Sequence, residues 1–193
     1  MINPPLLFST ANTMFHLPPK TSHPSPHVYL LMVCAGLFFI LFTLVGMLIH
    51  HNLGTSAHDL GVFDQAYWRY STLRGTFNTV LGFSILGDHF GVLALVFGPL
   101  YAIYPSVAWP LAAQALSMAV GGLILYGVVR QRIPASPTVA LAIALCYYLH
   151  PAVHNSLLWQ FHEIGLASGL YMGLILCYIK KIKTCFWFAS LRC

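Results

Sequence analysis

Four carboxylates are the only acidic side chains in this chain of 193 residues, and all of them lie in short polar motifs. Asp59 and Asp64 occur in HDLGVFDQAYW, Asp88 in GDHF and Glu163 in QFHEIG, so each acid is close to a histidine or an aromatic residue. Carboxylates in such surroundings can act as general bases, orient an imidazole ring or ligate a metal ion. Their chemistry therefore depends on the elements that hold them.

The composition is that of a multi-pass membrane protein. Charged residues make up 7% of the chain and the mean hydropathy is +0.75, whereas about a quarter of the residues in a soluble domain are charged. Residues 28–49 carry no charge, and as a helix they measure about 33 Å, enough to cross a hydrocarbon core of about 30 Å. We predict an all-α fold, a polytopic transmembrane helix bundle in the cell (cytoplasmic) membrane, surrounded by membrane lipid.

Further apolar segments complete about four spans, and the three additional ones are residues 107–129, 138–153 and 164–179. Pro151 indicates a helix end within the second of these. Segment 90–104 is apolar but short and contains Gly98 and Pro99, so we predict a re-entrant or interfacial segment. Gln114 and Ser117 are predicted to form hydrogen bonds between helices.

The basic residues predict the orientation. Lys20, the pair Arg130 and Arg132, and the lysines of segment 180–183 should all be cytoplasmic. This requires an even number of crossings between them and leaves 90–104 as a segment that does not cross. The predicted organisation is a Pro-rich cytoplasmic tail, a membrane domain with the acids on its external side, and a basic cytoplasmic tail, at residues 1–27, 28–179 and 180–193. The net charge of +5 is ascribed to cytoplasmic contact with anionic lipid, and no nucleic-acid partner is expected.

The first acidic motif is predicted to form an interfacial helix over residues 57–74, with Ser56 as its cap. At 100° per residue, one stripe contains Leu60, Phe63, Tyr67 and Tyr70, with Asp59 and Asp64 at its two edges and Arg74 on the same arc. The aromatic residues would then lie at headgroup depth. A simpler interpretation is that the acids lie in loops because a charge at the bilayer centre costs about 2.5 to 3.5 kcal/mol.

The three motifs together resemble a bacterial and archaeal family of predicted membrane proteins of unknown function. Its pattern reads roughly D-L-G-x-F-D-Q-x-x-W, then D-H-F, then F-H-x-E, and the resemblance covers about residues 50–180. That family is similar in turn to the N-terminal half of the GT-C polytopic glycosyltransferases, which take sugar from a polyprenyl-phosphate donor on the external face. The segment from Gly98 to Arg132 resembles the middle of the GT-C layout.

The GT-C resemblance implies roles for particular residues. Asp59 matches the first acid, which would orient or deprotonate the acceptor, and Glu163 or His162 matches the second polar position. The implied substrate-binding residues are Asp64, Gln65, Arg74, Asp88 and His89. Arg69, Arg74, His89 or His162 would stabilise the departing phosphate, unless a divalent metal held by Asp59, Asp64, Asp88 and His89 does so. The sequence departs from better-known GT-C enzymes because no Asp-Glu pair occurs at the first acid.

Two other classes remain open, a metal-binding membrane protein and a transporter. The chain has ten histidines, and His150 and His154 are four residues apart, but neither H-E-x-x-H nor C-x-x-C occurs. Acids within the spans would favour a transporter, and the predicted spans contain none. The tail TCFWFASLRC does not resemble the family, so we interpret the chain as a truncated or frameshifted copy that lacks later helices, and whether it is active by itself stays open.

Overall fold

The computed structural model describes residues 25–88, 91–133 and 135–180, and these are mainly helical. The predicted Pro-rich tail, His89 and most of the basic tail lie outside the described residues. The α-helices in chain order are α1 (Pro26–His51), α2 (Val62–Ser71), α3 (Ala94–Ile103), α4 (Ala108–Arg132), α5 (Pro137–Tyr148), α6 (Pro151–Leu158) and α7 (Glu163–Lys180). A π-helical turn, Ala57–Gly61, precedes α2, and a 3-10 turn, Ile85–Gly87, follows two short strands.

Helices α1 and α4 are long and apolar enough to cross a membrane, and they are the two such helices among the described residues. They contain 26 and 25 residues, or about 39 and 38 Å of helix. Leu37 on α1 is 63% exposed and Leu48 is 59% exposed. A contiguous apolar surface of this kind requires lipid or protein to cover it. The number of crossings beyond these two helices stays a prediction.

Helix α4 is the centre of the bundle, and its contacts give the directions of its neighbours. Gly46 near the end of α1 faces Leu111 near the start of α4, so these two helices are antiparallel. Tyr148 at the end of α5 donates to Ala119 O, while α5 begins beside the start of α1, where Thr138 and His27 form a hydrogen bond. Helix α5 therefore runs parallel to α1 and antiparallel to α4.

Helix α7 runs parallel to α4 and packs very closely against it. A Cβ added at Gly169 would lie 2.6 Å from Ser117 O, so only glycine fits at this contact. Ser117 Oγ donates to Leu166 O at 2.9 Å and accepts from Gly169 N at 3.1 Å. The predicted interhelical role of Ser117 is confirmed. Small residues that let helix backbones approach in this way are typical of membrane interfaces.

The predicted span 138–153 contains a helix break, and whether it crosses the membrane stays a prediction. Helix α5 ends at Tyr148 after 12 residues, about 18 Å, and α6 continues from Pro151 in the same direction. Pro151 has no N–H to donate, which breaks the hydrogen-bond ladder. His150 Nδ1 accepts from Ala152 N at 3.2 Å, and His154 Nε2 lies within hydrogen-bond distance of Tyr148 O. The helix end indicated by Pro151 is confirmed, and these two imidazoles take up polar groups that the break leaves free.

The predicted interfacial helix 57–74 is shorter and more buried than expected. Ser56 Oγ accepts from His58 N at 3.1 Å, so Ser56 is the cap, but the helix ends at Ser71. Its aromatic stripe packs on protein, because three of its residues are 1–2% exposed and lie against α3 and Phe161: Leu60, Phe63 and Tyr67. The depth of this helix in the membrane stays a prediction. The stripe packs against α3, because α3 presents an apolar surface that takes the place of lipid.

Helix α3 occupies most of the predicted re-entrant segment 90–104. It has 10 residues, about 15 Å of helix, too short to cross the membrane by itself. A two-stranded antiparallel hairpin, Phe77–Asn78 with Phe83–Ser84, separates it from α2 and was not predicted. Buried Asn78 fastens the hairpin by donating to Val62 O at 2.9 Å.

Candidate functional site

The directions of the helices gather polar residues at one end of the bundle, which we call the acidic end: the end of α1, the π-helical turn, α2, and the starts of α4 and α7. Here Asp59 Oδ1 lies 3.5 Å from His162 Nε2. The two side chains are 30% and 35% exposed, so both can meet a ligand. They are 103 positions apart in sequence and come from separate elements.

The backbone around His162 is fixed by two glutamines. Gln114 is 2% exposed on α4, and its Oε1 accepts from His162 N at 2.9 Å. Its Nε2 donates to Ser156 O at 2.8 Å and to Gln160 O at 3.3 Å. Gln160, whose φ of 90° is unusual for a residue other than glycine, accepts at Oε1 from Ser56 N at 2.7 Å. The loop bearing His162 is therefore tied both to α4 and to the cap before Asp59.

The predicted interhelical role of Gln114 is thus confirmed, but its placement under the histidine was missed. A glutamine in an uncharged span indicates a hydrogen bond to a neighbouring helix, but the sequence does not identify the residue that forms it. Gln160 was also missed, because nothing in QFHEIG distinguishes it from an exposed loop residue. Its left-handed backbone is a property that only the structure reveals.

Glu163 follows His162 at the start of α7 and is held from the other side by Tyr67. The Tyr67 hydroxyl donates to Glu163 Oε1 at 3.3 Å. Burial of the ring, and then the negative charge of Glu163, keep the pKa of Tyr67 well above its ordinary value. Tyr67 therefore stays a neutral hydrogen-bond donor over the physiological range.

Asp64 is also held by a buried tyrosine, in the aromatic cluster that contains Tyr67. The Tyr101 hydroxyl on α3 donates to Asp64 Oδ1 at 2.8 Å, and the rings of Tyr101 and Tyr67 meet edge to face at 5.7 Å. Three of the four acids thus lie at the acidic end, joined through His162 and two buried tyrosines. Asp64 points into a protein contact, which suits a positioning role better than contact with a ligand.

The other predicted site residues do not join this group. Gln65 Nε2 donates to Thr79 Oγ1 at 2.7 Å, and Gln65 Oε1 accepts from Thr79 N at 2.9 Å, so it fastens the hairpin. Arg74 lies beyond the opposite end of α2 from Asp59, over the Trp68 ring at 4.8 Å. Asp88 is exposed after the 3-10 turn, and the structure does not describe His89. Among the described residues no group of three or more His, Cys, Asp or Glu side chains is arranged to hold a metal ion.

An open cavity of about 650 Å³ adjoins His162. Its lining combines amide, hydroxyl and imidazole groups with an apolar rim: Gln114, Asn155, Ser156, Leu158, Trp159, His162, Ile164 and Gly165. Trp159 is 73% exposed and Ile164 is 80% exposed. A polar floor with an exposed aromatic ring and an apolar edge suits a ligand that has both a polar and an apolar part.

The profile of the family described as "Predicted membrane protein (DUF2079)" matches residues 49–192, more than half of the chain. The chain belongs to this family. It is therefore a membrane protein of a family whose description assigns no activity. No curated protein and no solved structure matches it significantly.

The matched region contains both members of the pair, Asp59 on the π-helical turn and His162 in the α6–α7 connection. In this DUF2079 protein the pair can accept a proton from a bound hydroxyl, because a carboxylate held by an imidazole is oriented and half-exposed. A protonated His162 can also stabilise an anion in the adjoining cavity. These two capacities define the chemistry that the site offers.

Proposed function

We propose that this chain carries the catalytic end of a glycosyltransferase that uses a polyprenyl-phosphate sugar donor on the external face, with the layout of the GT-C superfamily. The observation that supports it is the Asp59–His162 pair beside an open amphipathic cavity. A lipid-linked sugar has a polar head and a long apolar tail. It therefore requires a binding site with both polar and apolar walls, next to a general base.

In the proposed reaction an acceptor hydroxyl attacks the anomeric carbon of the donor. Its oxygen forms the new glycosidic bond, its proton passes to the Asp59 carboxylate, and the bond from the anomeric carbon to the phosphate oxygen breaks. The polyprenyl phosphate leaves with the electron pair. His162 holds Asp59 in place and, when protonated, offers a positive charge to the departing phosphate.

The cavity provides the proposed binding surface. The exposed ring of Trp159 offers a flat apolar face for a sugar, while Asn155 and Ser156 add polar groups to the lining of the cavity. The apolar rim at Leu158 and Ile164 continues toward α7, where the prenyl chain would remain among lipid. Arg74 has no part in this arrangement, because it lies at the other end of α2.

The test is sugar transfer by membranes that contain the full chain, with a radiolabelled polyprenyl-phosphate hexose as donor. We expect labelled lipid-free product from the wild type and a loss of about 100-fold or more in Asp59→Asn, since a general base contributes about 10² to 10⁴ in rate. His58→Asn is the matched control, because His58 is an exposed neighbour whose backbone, not side chain, meets the Ser56 cap. Transfer no greater than in membranes without the chain, or equal transfer by Asp59→Asn, would contradict the proposal.

A further inference from the structure

A second cavity, of about 230 Å³, lies beside the C-terminal half of α2, where Ala66 and Tyr70 line it. Its lining is almost wholly apolar and comes from α2, the hairpin region and α3: Ala66, Tyr70, Thr76, Ile85, Leu86, Gly91, Val92, Ala94 and Leu95. Its one aliphatic hydroxyl, on Thr76, already accepts from Ser84 Oγ at 2.9 Å. Tyr70 is fixed as a wall against Gly98, where an added Cβ would lie 2.9 Å from the ring. Such a cavity suits hydrocarbon.

Three of the lining residues are apolar and exposed: Leu86, Val92 and Leu95 are 48%, 52% and 58% exposed. Leu73, in the turn between the lining residues Tyr70 and Thr76, is 92% exposed with a φ of 55°. A leucine in the left-handed region costs about 1–2 kcal/mol, and glycine would avoid the cost. Leu73 gains nothing from water in return, but it would gain from contact with lipid.

Two arginines border the same turn. Arg69 donates from a terminal guanidinium nitrogen to Arg74 O at 2.5 Å, which closes the turn around Leu73. Arg74 is exposed, and its guanidinium lies over Trp68. Arginine and tryptophan side by side, next to an exposed leucine, match the layered chemistry of a bilayer surface, where phosphate lies above hydrocarbon.

We propose that this surface binds one bilayer phospholipid, with its phosphate on Arg69 and Arg74 and an acyl chain entering the cavity between Leu86 and Leu95. The site is separate from the Asp59–His162 pair and does not depend on sugar transfer. The stripe at Phe63 and Tyr67 packs in the protein core and is not part of this lipid site. The opposite charge of the arginines favours phosphatidylglycerol over phosphatidylcholine.

The experiment reconstitutes the full chain in bilayers containing phosphatidylglycerol with a photoactivatable acyl chain and maps the cross-linked peptides. We expect peptides around Leu86 to Leu95 to be labelled several-fold more than those of the lipid-exposed face of α1, which serves as the internal reference. The double variant Arg69→Gln/Arg74→Gln should lower this enrichment to the level of the reference. The matched control Arg132→Gln, an exposed arginine at the other end of the bundle, should leave it unchanged.

Several results would overturn the proposal. Equal labelling of the cavity peptides and the α1 face would show bulk lipid contact only, and an enrichment unaffected by the double variant would remove the arginines from the site. Displacement by inorganic phosphate, at an ionic strength matched with chloride, would indicate a free-anion site. Thermal unfolding of the double variant in detergent, compared with that of Arg132→Gln, separates loss of the lipid site from loss of the fold.

Discussion

Replacement of the buried Gln114 by leucine tests how the bundle holds His162. The carboxamide makes three hydrogen bonds, to Ser156 O, Gln160 O and His162 N. Leucine has nearly the same volume, so the main loss is polar. At about 1 kcal/mol for each bond, Gln114→Leu should lower the free energy of unfolding by about 3 kcal/mol. For a chain of this size that corresponds to a fall of about 6–12 °C in Tm.

The assay is thermal unfolding of the purified full chain in detergent, followed by circular dichroism. Gln131→Leu is the matched control, because it is the same substitution on the same helix at an exposed position. Its effect should stay within about 0.5 kcal/mol. Equal Tm values for Gln114→Leu and Gln131→Leu would refute the reasoning, because the three hydrogen bonds would then contribute nothing.

Three further predictions concern helix packing, tyrosine ionisation and orientation. Gly169→Ala should destabilise the chain by about 1–3 kcal/mol, because its Cβ would meet Ser117 O at 2.6 Å; a Tm equal to that of the wild type would count against the α4–α7 packing. Because the pKa of Tyr67 is raised in the fold, its stabilising contribution is complete below about pH 10, the ordinary tyrosine value, and is lost as pH rises above it. Tyr67→Phe should therefore remove one late-ionising tyrosine from an alkaline absorbance titration, and an unchanged curve would contradict the burial. Single cysteines replacing Asn155 and Arg132 should react with an impermeant thiol reagent from opposite sides of the membrane, after the native cysteines are replaced; labelling from one side would refute the orientation.

Much of the bundle could be predicted, because long apolar segments without charged residues indicate helices that can span a membrane. Residues 28–49 fall inside α1, all but the first residue of 107–129 fall inside α4, and Pro151 marks the break between α5 and α6. The acids at Asp59 and Glu163 follow as residues excluded from apolar spans. What the helical period cannot decide is whether an amphipathic face meets lipid or protein, and the stripe at Tyr67 was assigned to lipid for that reason.

The composition of the site was harder to predict than its position. The sequence motifs identify both His162 and Asp59 as candidates, but their pairing depends on α7 running parallel to α4 with close glycine contacts. Arg74 was placed on the arc of Asp59 by helical geometry, whereas the helix ends at Ser71 and the turn at Leu73 redirects the chain. Gln65 was chosen for its motif, yet the unpredicted hairpin at Thr79 uses both ends of its amide.

The most direct measurement of the central claim is a double-mutant cycle on hexose transfer with Asp59→Asn, His162→Gln and both together. If the two side chains act as one unit, the double variant should be about as slow as Asp59→Asn alone, since effects within a unit are not additive. Losses that multiply, as for independent residues, or a His162→Gln variant as fast as the wild type, would contradict it.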